Sequence, residues 1–277
     1  MTGTMQKMCD EDFEKLSHLI YNDYGIKMPY TKKTMLEGRL RRRLNENNIS
    51  SYGEYCDFLF SKEGMDKELI HMIDVVSTNK TDFFREPAHF TFLKEEVLPA
   101  YKKDNKSHVN IWSAAASTGE EPYTIAITLE ESMDKKRAFD YSIYCTDIST
   151  KVLQKGVTGI YENHRVTNIP FEIKKKYFLK NKDVNNPTVR IIPELRKKCT
   201  FDRLNLMDKL YHTPSDYDII FCRNVLIYFD KPTQEQVINK ICARLKPGGY
   251  LFLGHSESMT GIDAPVKTIK PTIYKKN

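Results

Sequence analysis

No stretch of this sequence approaches the ~18 consecutive apolar residues that cross a bilayer, and its N-terminus carries no signal-peptide core. The chain is therefore expected to be cytoplasmic, with no direct membrane insertion. Its six cysteines (Cys9, Cys56, Cys145, Cys199, Cys222 and Cys242) are scattered, without a C-x-x-C pair. That pattern suits small hydrophobes in a reducing compartment better than disulfides or zinc, and no metal is expected. There is no low-complexity tract and no internal repeat, so neither a solenoid nor a long disordered linker is indicated. The charge imbalance is mild: 43 Lys and Arg against 37 Asp and Glu leave a net +6. It suits an acidic partner but does not by itself point to nucleic acid. What remains is a 277-residue chain, 40% hydrophobic and 29% charged, with the profile of a globular protein of about two domains.

The most informative stretch is VNIWSAAASTGEEPYTIAITL, Val109 to Leu129. Val109 to Trp112 reads as a buried strand. Side chains nearly vanish over Ser113-Ala114-Ala115-Ala116. Ser117 and Thr118 then offer N-cap hydroxyls, Glu120 and Glu121 an acidic first turn, and Pro122 a helix start. Strand, small-residue turn and helix is the geometry that exposes backbone N–H groups to a ligand. The turn has neither G-x-G-x-x-G nor G-x-x-x-x-G-K-[ST], so the dinucleotide and Walker-type phosphate cradles are absent. Two carboxylates at this place favour a cationic ligand end, such as an amino group or a sulfonium. An ordinary turn packed with alanines fits this stretch equally well.

Residues 10–75 read as a small helical bundle. Phe13, Leu16, Ile20 and Tyr24 share a face that Gly25 terminates. A second helix, with Thr31 or Thr34 as its cap, carries Met35, Leu36, Leu40 and Leu44 on one side and Lys32, Lys33, Arg39, Arg41, Arg42 and Arg43 on the rest. Two shorter helices follow, around Tyr52–Phe60 and Met65–Val75. The basic helix is either a docking surface or a solvated face paired with its acidic neighbour. Ser77 to Phe90 then interleaves Asn79, Thr81, Asp82 and Arg85 with Phe83 and Phe84. It is either a staple between domains or a polar clamp for an amino-acid carboxylate.

Beyond the central motif, strands alternate with helices. Tyr141–Thr146 ends at Asp147, where nucleoside-binding sheets place a ribose ligand. Gly159 to Lys198 loses the rhythm and reads as an inserted helix and hairpin. Cys199–Phe201, the apolar Tyr217–Cys222 and Tyr250–Leu253 continue the sheet, and Thr272–Tyr274 closes it. The expected fold class is α/β, a doubly wound, mostly parallel Rossmann-like sheet with an inserted small β-subdomain, preceded by a small all-α domain.

TNKTDFFRE, IWSAAASTGEEPY, CTDIS, FCRNVLIYFD and KPGGYLFLGHSES, in this order across residues 78–258, strongly resemble the CheR family of chemotaxis receptor methyltransferases. The resemblance implies a class I methyltransferase that transfers a methyl group from S-adenosyl-L-methionine to receptor glutamates, giving methyl esters and S-adenosyl-L-homocysteine for chemotactic adaptation. It implies a docking domain over 1–78, a linker with cofactor ligands over 79–90, and a catalytic domain over 91–277 that includes the insert at about 159–198. Matched position by position, Asn79, Thr81, Arg85, Glu120, Asp147, Asn205, Leu206, Arg223 and Asn224 resemble the cofactor ligands. Tyr228 and Arg223 resemble the residues nearest the transferred methyl. Lys32, Lys33, Arg39, Arg41, Arg42 and Arg43 become candidates for docking glutamate-rich receptor helices. The implied partner is thus a chemoreceptor's cytoplasmic domain rather than nucleic acid, with the enzyme acting as a monomer. A nucleic-acid methyltransferase is the rival enzyme, but Arg223-Asn224-Val225-Leu226 stands where amino-methylating DNA enzymes usually carry [DN]-P-P-[FYW]. A cofactor sensor without turnover is the rival from another class.

Overall fold

The computed structural model describes residues 7–133 and 139–277; the first six residues of the helical unit expected over 1–78 lie outside the described residues. That unit contains α1 (Asp10–Tyr24), α2 (Lys33–Glu46), α3 (Tyr52–Leu59) and α4 (Leu69–Val76). Phe13, Leu16 and Ile20 of α1 meet Leu36, Leu40 and Leu44 of α2 in a core of their own, completed by Tyr55, Leu59, Met72 and Ile73. Gly25 ends α1 at φ 69°, and a Cβ there would stand 2.6 Å from Met207 Sδ in the second unit. A glycine is needed both for the left-handed turn and for this close approach. Neither Thr31 nor Thr34 caps α2: a 3-10 turn, Tyr30–Lys32, feeds directly into the helix, and no side chain bonds its first turn.

The second unit opens with α5 (Ala88–Phe92) and α6 (Leu98–Lys103), followed by β1 (His108–Ser113), α7 (Glu120–Ser132), β2 (Asp140–Asp147) and α8 (Thr150–Thr158). The insert comprises β3 (Ile160–Glu162), α9 (Phe171–Tyr177), β4 (Phe178–Lys180) and β5 (Thr188–Ile191). Its strands form a separate antiparallel sheet in the order β3-β5-β4. Then come α10 (Pro193–Arg196), β6 (Cys199–Arg203), β7 (Tyr217–Cys222), α11 (Lys231–Ala243), β8 (Leu245–Leu253), β9 (Val266–Lys270) and β10 (Ile273–Lys276).

The main sheet runs β6-β2-β1-β7-β8-β10-β9. Its first five strands are parallel, and β10 and β9 are added antiparallel. Every residue of β7 is buried, as a strand covered by helices on both faces requires. The strand β9 is not among the sequence expectations, because its residues are mostly exposed and carry no apolar alternation. The chain leaves β1 for β2 on one side while β7 lies on the other. Such a reversal opens a crevice beyond the C-terminal ends of the strands. Among the described residues no helix is long and apolar enough to cross a membrane.

Candidate active site

The crevice is a cleft of about 1200 Å³, counting the solvent at its mouth, between the sheet edge and the helical unit. The helical unit contributes Tyr24, Ile26, Met28, Lys32, Met35 and Arg39 to its wall. Among the links that hold this roof in place, Lys27 N donates to Tyr228 O (3.0 Å), Asn205 Nδ2 to Asp23 O (2.7 Å) and Thr150 Oγ1 to Asp74 Oδ2 (3.1 Å). The opposite wall brings together Asn79, Thr81, Arg85, Asp147, Asn205, Leu206, Arg223, Asn224 and Tyr228.

The turn after β1 is shaped by its neighbours rather than by a side-chain cap. Gly119, at φ 95°, precedes α7, and neither Ser117 nor Thr118 caps it. Ser117, buried, instead takes a left-handed backbone at φ 47°. Its N–H donates to Asp147 Oδ2 (2.9 Å) and its hydroxyl to Asn79 O (3.1 Å). Asp147 Oδ1 accepts from Ser149 N (3.0 Å). Burial pushes the Asp147 carboxyl above its ordinary range, and the Ser149 and Ser117 amides oppose that rise. Each oxygen keeps a lone pair for a hydroxyl in the cleft. Arg85 is half-buried, and its Nη1 donates to Lys80 O (2.9 Å).

Glu120 and Glu121 separate sharply. Glu120 is 0% exposed and does not reach the cleft. Its Oε1 pairs with Arg165 Nη2 (2.6 Å), and its Oε2 accepts from the Thr118 hydroxyl (2.5 Å). Arg165, from the insert, also holds Asp82 (3.2 Å) and donates to Thr81 O. The residue that faces the cleft is Glu121, which accepts from Ser113 Oγ (2.7 Å) and pairs with Arg223 Nη1 (3.1 Å). The expectation that Glu120 touches the cofactor therefore meets a carboxylate already committed to Arg165. Two adjacent helix positions lie about 100° apart, so only one can face the cleft.

Arg223, at the end of β7, is the hub. Its side chain is 1% exposed, and its Nη2 meets Glu86 Oε2 (2.8 Å) and donates to Arg85 O (2.6 Å). Burial alone would raise the Glu86 carboxyl, but hydrogen bonds from Arg223 and Asn224 hold it at about 2. Asn224, at φ 58°, donates Nδ2 to Glu86 Oε1 (3.1 Å). Glu257 fixes the loop beneath: Oε1 accepts from Val225 N (2.8 Å) and Leu226 N (2.7 Å), and Oε2 from Asn224 N (2.9 Å) and Gly254 N (2.6 Å). Tyr228, half-buried on the 3-10 turn Leu226–Tyr228, thereby faces the cleft. Sequence reasoning assigned no role to Glu86, Arg165 or Glu257, most of whose partners lie at distant chain positions. A local signal existed only in Glu86, which closes FFRE, and Glu257, within GHSES.

The six basic residues between positions 32 and 43, Lys32 in the 3-10 turn and the other five on α2, do not form one surface. Lys32 and Arg39 line the cleft, while Lys33 pairs with Asp10 of α1. Arg39 also binds the end of α4 through Ser77 O (3.3 Å) and Thr78 Oγ1 (3.0 Å). Arg43 turns inward to Glu68, with Nε–Oε1 2.8 Å and Nη2–Oε2 2.6 Å. Arg41 and Arg42 are exposed, and Arg42 pairs with Glu46 at 2.7 Å. Lys33 thus pairs with the acidic neighbouring helix, and the Arg43 guanidinium is committed to Glu68.

Two family descriptions match this architecture: "CheR methyltransferase, all-alpha domain" over residues 11–77 and "CheR methyltransferase, SAM binding domain" over residues 79–275. A chemotaxis protein methyltransferase of Borreliella burgdorferi is 40% identical over 272 residues, covering 96% of this chain and 94% of the relative. Those of Klebsiella aerogenes and Escherichia coli are 38% and 36% identical over 267 residues, each covering 96% of this chain and 90% and 91% of the relative. With both units matched, and with the cleft at the switch point of the sheet, the chain belongs to the CheR family, the chemotaxis methyltransferases that use S-adenosyl-L-methionine.

Proposed function

We propose that this enzyme methylates glutamate side chains on the cytoplasmic helices of chemoreceptors, and that residues 1–78 guide those helices to the cleft. The observation that carries this reading is the position of α2 and the 3-10 turn before it, which line the cleft with Lys32, Met35 and Arg39. Arg42 extends the same helical stripe outward, because positions 32, 35, 39 and 42 recur at i, i+3, i+7 and i+10. A glutamate-rich helix arriving along this stripe meets positive charge before it meets the reacting group.

S-adenosyl-L-methionine, when bound, supplies a methyl group on a cationic sulfur. The donor set fits it: carboxylates at Asp147 and Glu121, an amide at Asn79 and a guanidinium at Arg85 border one cleft. In our reading, Asp147 accepts hydrogen bonds from the ribose hydroxyls, and Asn205 and Leu206 flank the base. Asn79, Thr81 and Arg85 hold the amino-acid end. Glu121 supplies the negative charge that the resemblance placed at Glu120. A substrate glutamate is already ionised at neutral pH, with a reference pKa near ~4.3, so no side chain has to remove a proton. The protein's task is to orient the carboxylate and keep water out, since water stabilises separated charges more than a charge-dispersed transition state. Tyr228 faces the cleft from the loop that Glu257 holds, and its ring suits a cationic neighbour. Arg223, whose Nη1 and Nη2 are engaged by Glu121, Glu86 and Arg85 O, acts as a positioning residue for Glu121 and Asn224.

Incubation with methyl-labelled S-adenosyl-L-methionine and a receptor cytoplasmic fragment is expected to yield base-labile label on glutamate. Label on nucleic acid instead, or cofactor binding without transfer to any receptor fragment, overturns the reading.

Two variants test its parts. Arg42→Glu is expected to slow methylation about 10-fold at low salt, with unchanged cofactor affinity and a deficit that shrinks as salt rises. Arg41→Glu, about 200° around α2 from Arg39, should change the rate much less. Equal effects of the two substitutions would remove the stripe from docking. Asp147→Asn is expected to weaken cofactor binding by about 1–3 kcal/mol, read by calorimetry. Asparagine is preferred to alanine because Asp147 also holds the Ser117 and Ser149 amides. Unchanged affinity would place Asp147 outside the cofactor site.

A further inference from the structure

On the far side of Arg223 from Glu121, three side chains turn ligand atoms toward one point. Glu86 Oε2 lies 3.7 Å from His89 Nδ1 and 4.0 Å from His255 Nε2, and all three atoms fall within 4.8 Å of one another. His89 is 1% exposed, and its ring packs edge-on against Phe252 at 5.6 Å between centroids. Its Nδ1 has no hydrogen-bond partner. The other ring nitrogen, Nε2, stands 2.8 Å from Thr272 Oγ1, and that hydroxyl gives its own proton to Pro271 O (2.7 Å). In the tautomer with the ring proton on Nε2, donated to Thr272, Nδ1 is a bare lone pair.

A buried lone pair and a carboxylate oxygen thus face each other with no proton shared between them, since 3.7 Å is too long for a hydrogen bond. Glu86 Oε2 already accepts from Arg223 Nη2 (2.8 Å) and His255 N (3.2 Å), so the unmet atom of the pair is His89 Nδ1, and a buried acceptor without a donor is costly. A cation between them satisfies it. The His255 ring, edge-on to His89 at 5.2 Å between centroids, adds a third donor from the exposed side.

We propose that Glu86, His89 and His255 bind one divalent transition ion of the zinc class, with a fourth position open to solvent beside His255. Two imidazoles and one carboxylate form a nitrogen-rich set that suits zinc or cobalt and not the hard, oxygen-seeking calcium or magnesium. Metal–ligand distances of about 2.0–2.2 Å put tetrahedral ligand atoms about 3.3–3.6 Å apart. Closing the present separations to that value takes a movement of at most about 1.5 Å, which the exposed His255 side chain can make by rotating. Thr272 is the outer partner that fixes the tautomer and plane of His89. The ion shares Glu86 with Arg223 and Asn224, so the site sits directly behind the cleft wall. Sequence reading expects no metal here because the third ligand comes from the opposite end of the catalytic unit, with no local spacing to mark it.

The full chain, stripped of metal, would be titrated with zinc by calorimetry and with cobalt by visible absorption. Expected are one ion per chain and cobalt bands of a four-coordinate nitrogen and oxygen site without thiolate charge transfer. His255→Ala should lose about 100-fold or more in affinity while remaining folded, since its side chain lies outside the core. His164→Ala, which removes the exposed pair with Glu162 at 3.1 Å, should bind as the parent does. No uptake, equal uptake by His255→Ala, or a thiolate-dominated cobalt spectrum would overturn the proposal.

Discussion

Arg43→Ala is expected to lower the stability of the helical unit by about 3–5 kcal/mol at neutral pH, the cost of leaving a buried charge without its partner. Glu68 is 3% exposed, and its two oxygens are taken by Arg43 Nε and Nη2, with Tyr55 Oη a third donor at 2.8 Å. Burial would raise the Glu68 carboxyl, but these donors hold it below its ordinary value. The parent therefore keeps this contribution at neutral pH and loses it as pH falls through the lowered folded value. In the variant the orphaned carboxyl shifts the other way and takes up a proton as the solution is acidified. The deficit between the two proteins should consequently shrink toward about pH 5. Denaturant unfolding at both pH values measures it. A loss below about 1 kcal/mol would return Arg43 to the solvated surface. The result also bears on docking, because a variant that neutralises Arg43 with Arg41 and Arg42 would confound lost stability with lost charge.

Glu257→Gln is expected to destabilise the loop behind the cleft by about 2–6 kcal/mol and to cut methyl transfer by more than it weakens cofactor binding. Four backbone N–H groups converge on the Glu257 carboxylate, two on each oxygen. A glutamine can satisfy two of them with its carbonyl, but its amide then sets donors against the other two. Each unmet buried donor costs about 1–3 kcal/mol. Among the loop residues this carboxylate holds is Asn224, which packs so closely that a Cβ at Gly254 would stand 2.4 Å from its Nδ2 and 2.8 Å from its backbone N. When the loop relaxes, Tyr228 moves with it. A variant of parental stability and turnover would show that the strand ends hold the loop without Glu257.

The elements that could be read in the sequence are those whose evidence is local. The stripe Phe13, Leu16, Ile20, Tyr24 predicts α1 and its buried face, and Gly25 predicts its end. The apolar Tyr217–Cys222 predicts a strand covered on both sides, and the acid at Asp147 predicts a side chain at the C-terminal edge of the sheet. Where a local rule competes with a tertiary contact, the contact wins. Ser117 is a sound N-cap residue, yet its N–H goes to Asp147 and its hydroxyl to Asn79, and Gly119 makes the turn.

By itself the sequence determined the class of fold, the order of the two units and the family, because periodicity, turn residues and motif order all lie along the chain. Only the tertiary structure decided which charges serve the cleft. The resemblance favours Glu120 over its neighbour, and positions 32 to 43 offer six cations without distinguishing them. Helix phase and the placement of Arg165, Arg223, Glu68 and Asp10 then bury Glu120, turn Glu121 inward, tie up Lys33 and Arg43, and leave Lys32 and Arg39 on the wall. The physical reason is that a charge costs little in water and much in the interior, so its role depends on the partner it meets. Those partners come from elements far apart in the chain, and no local pattern specifies which will meet.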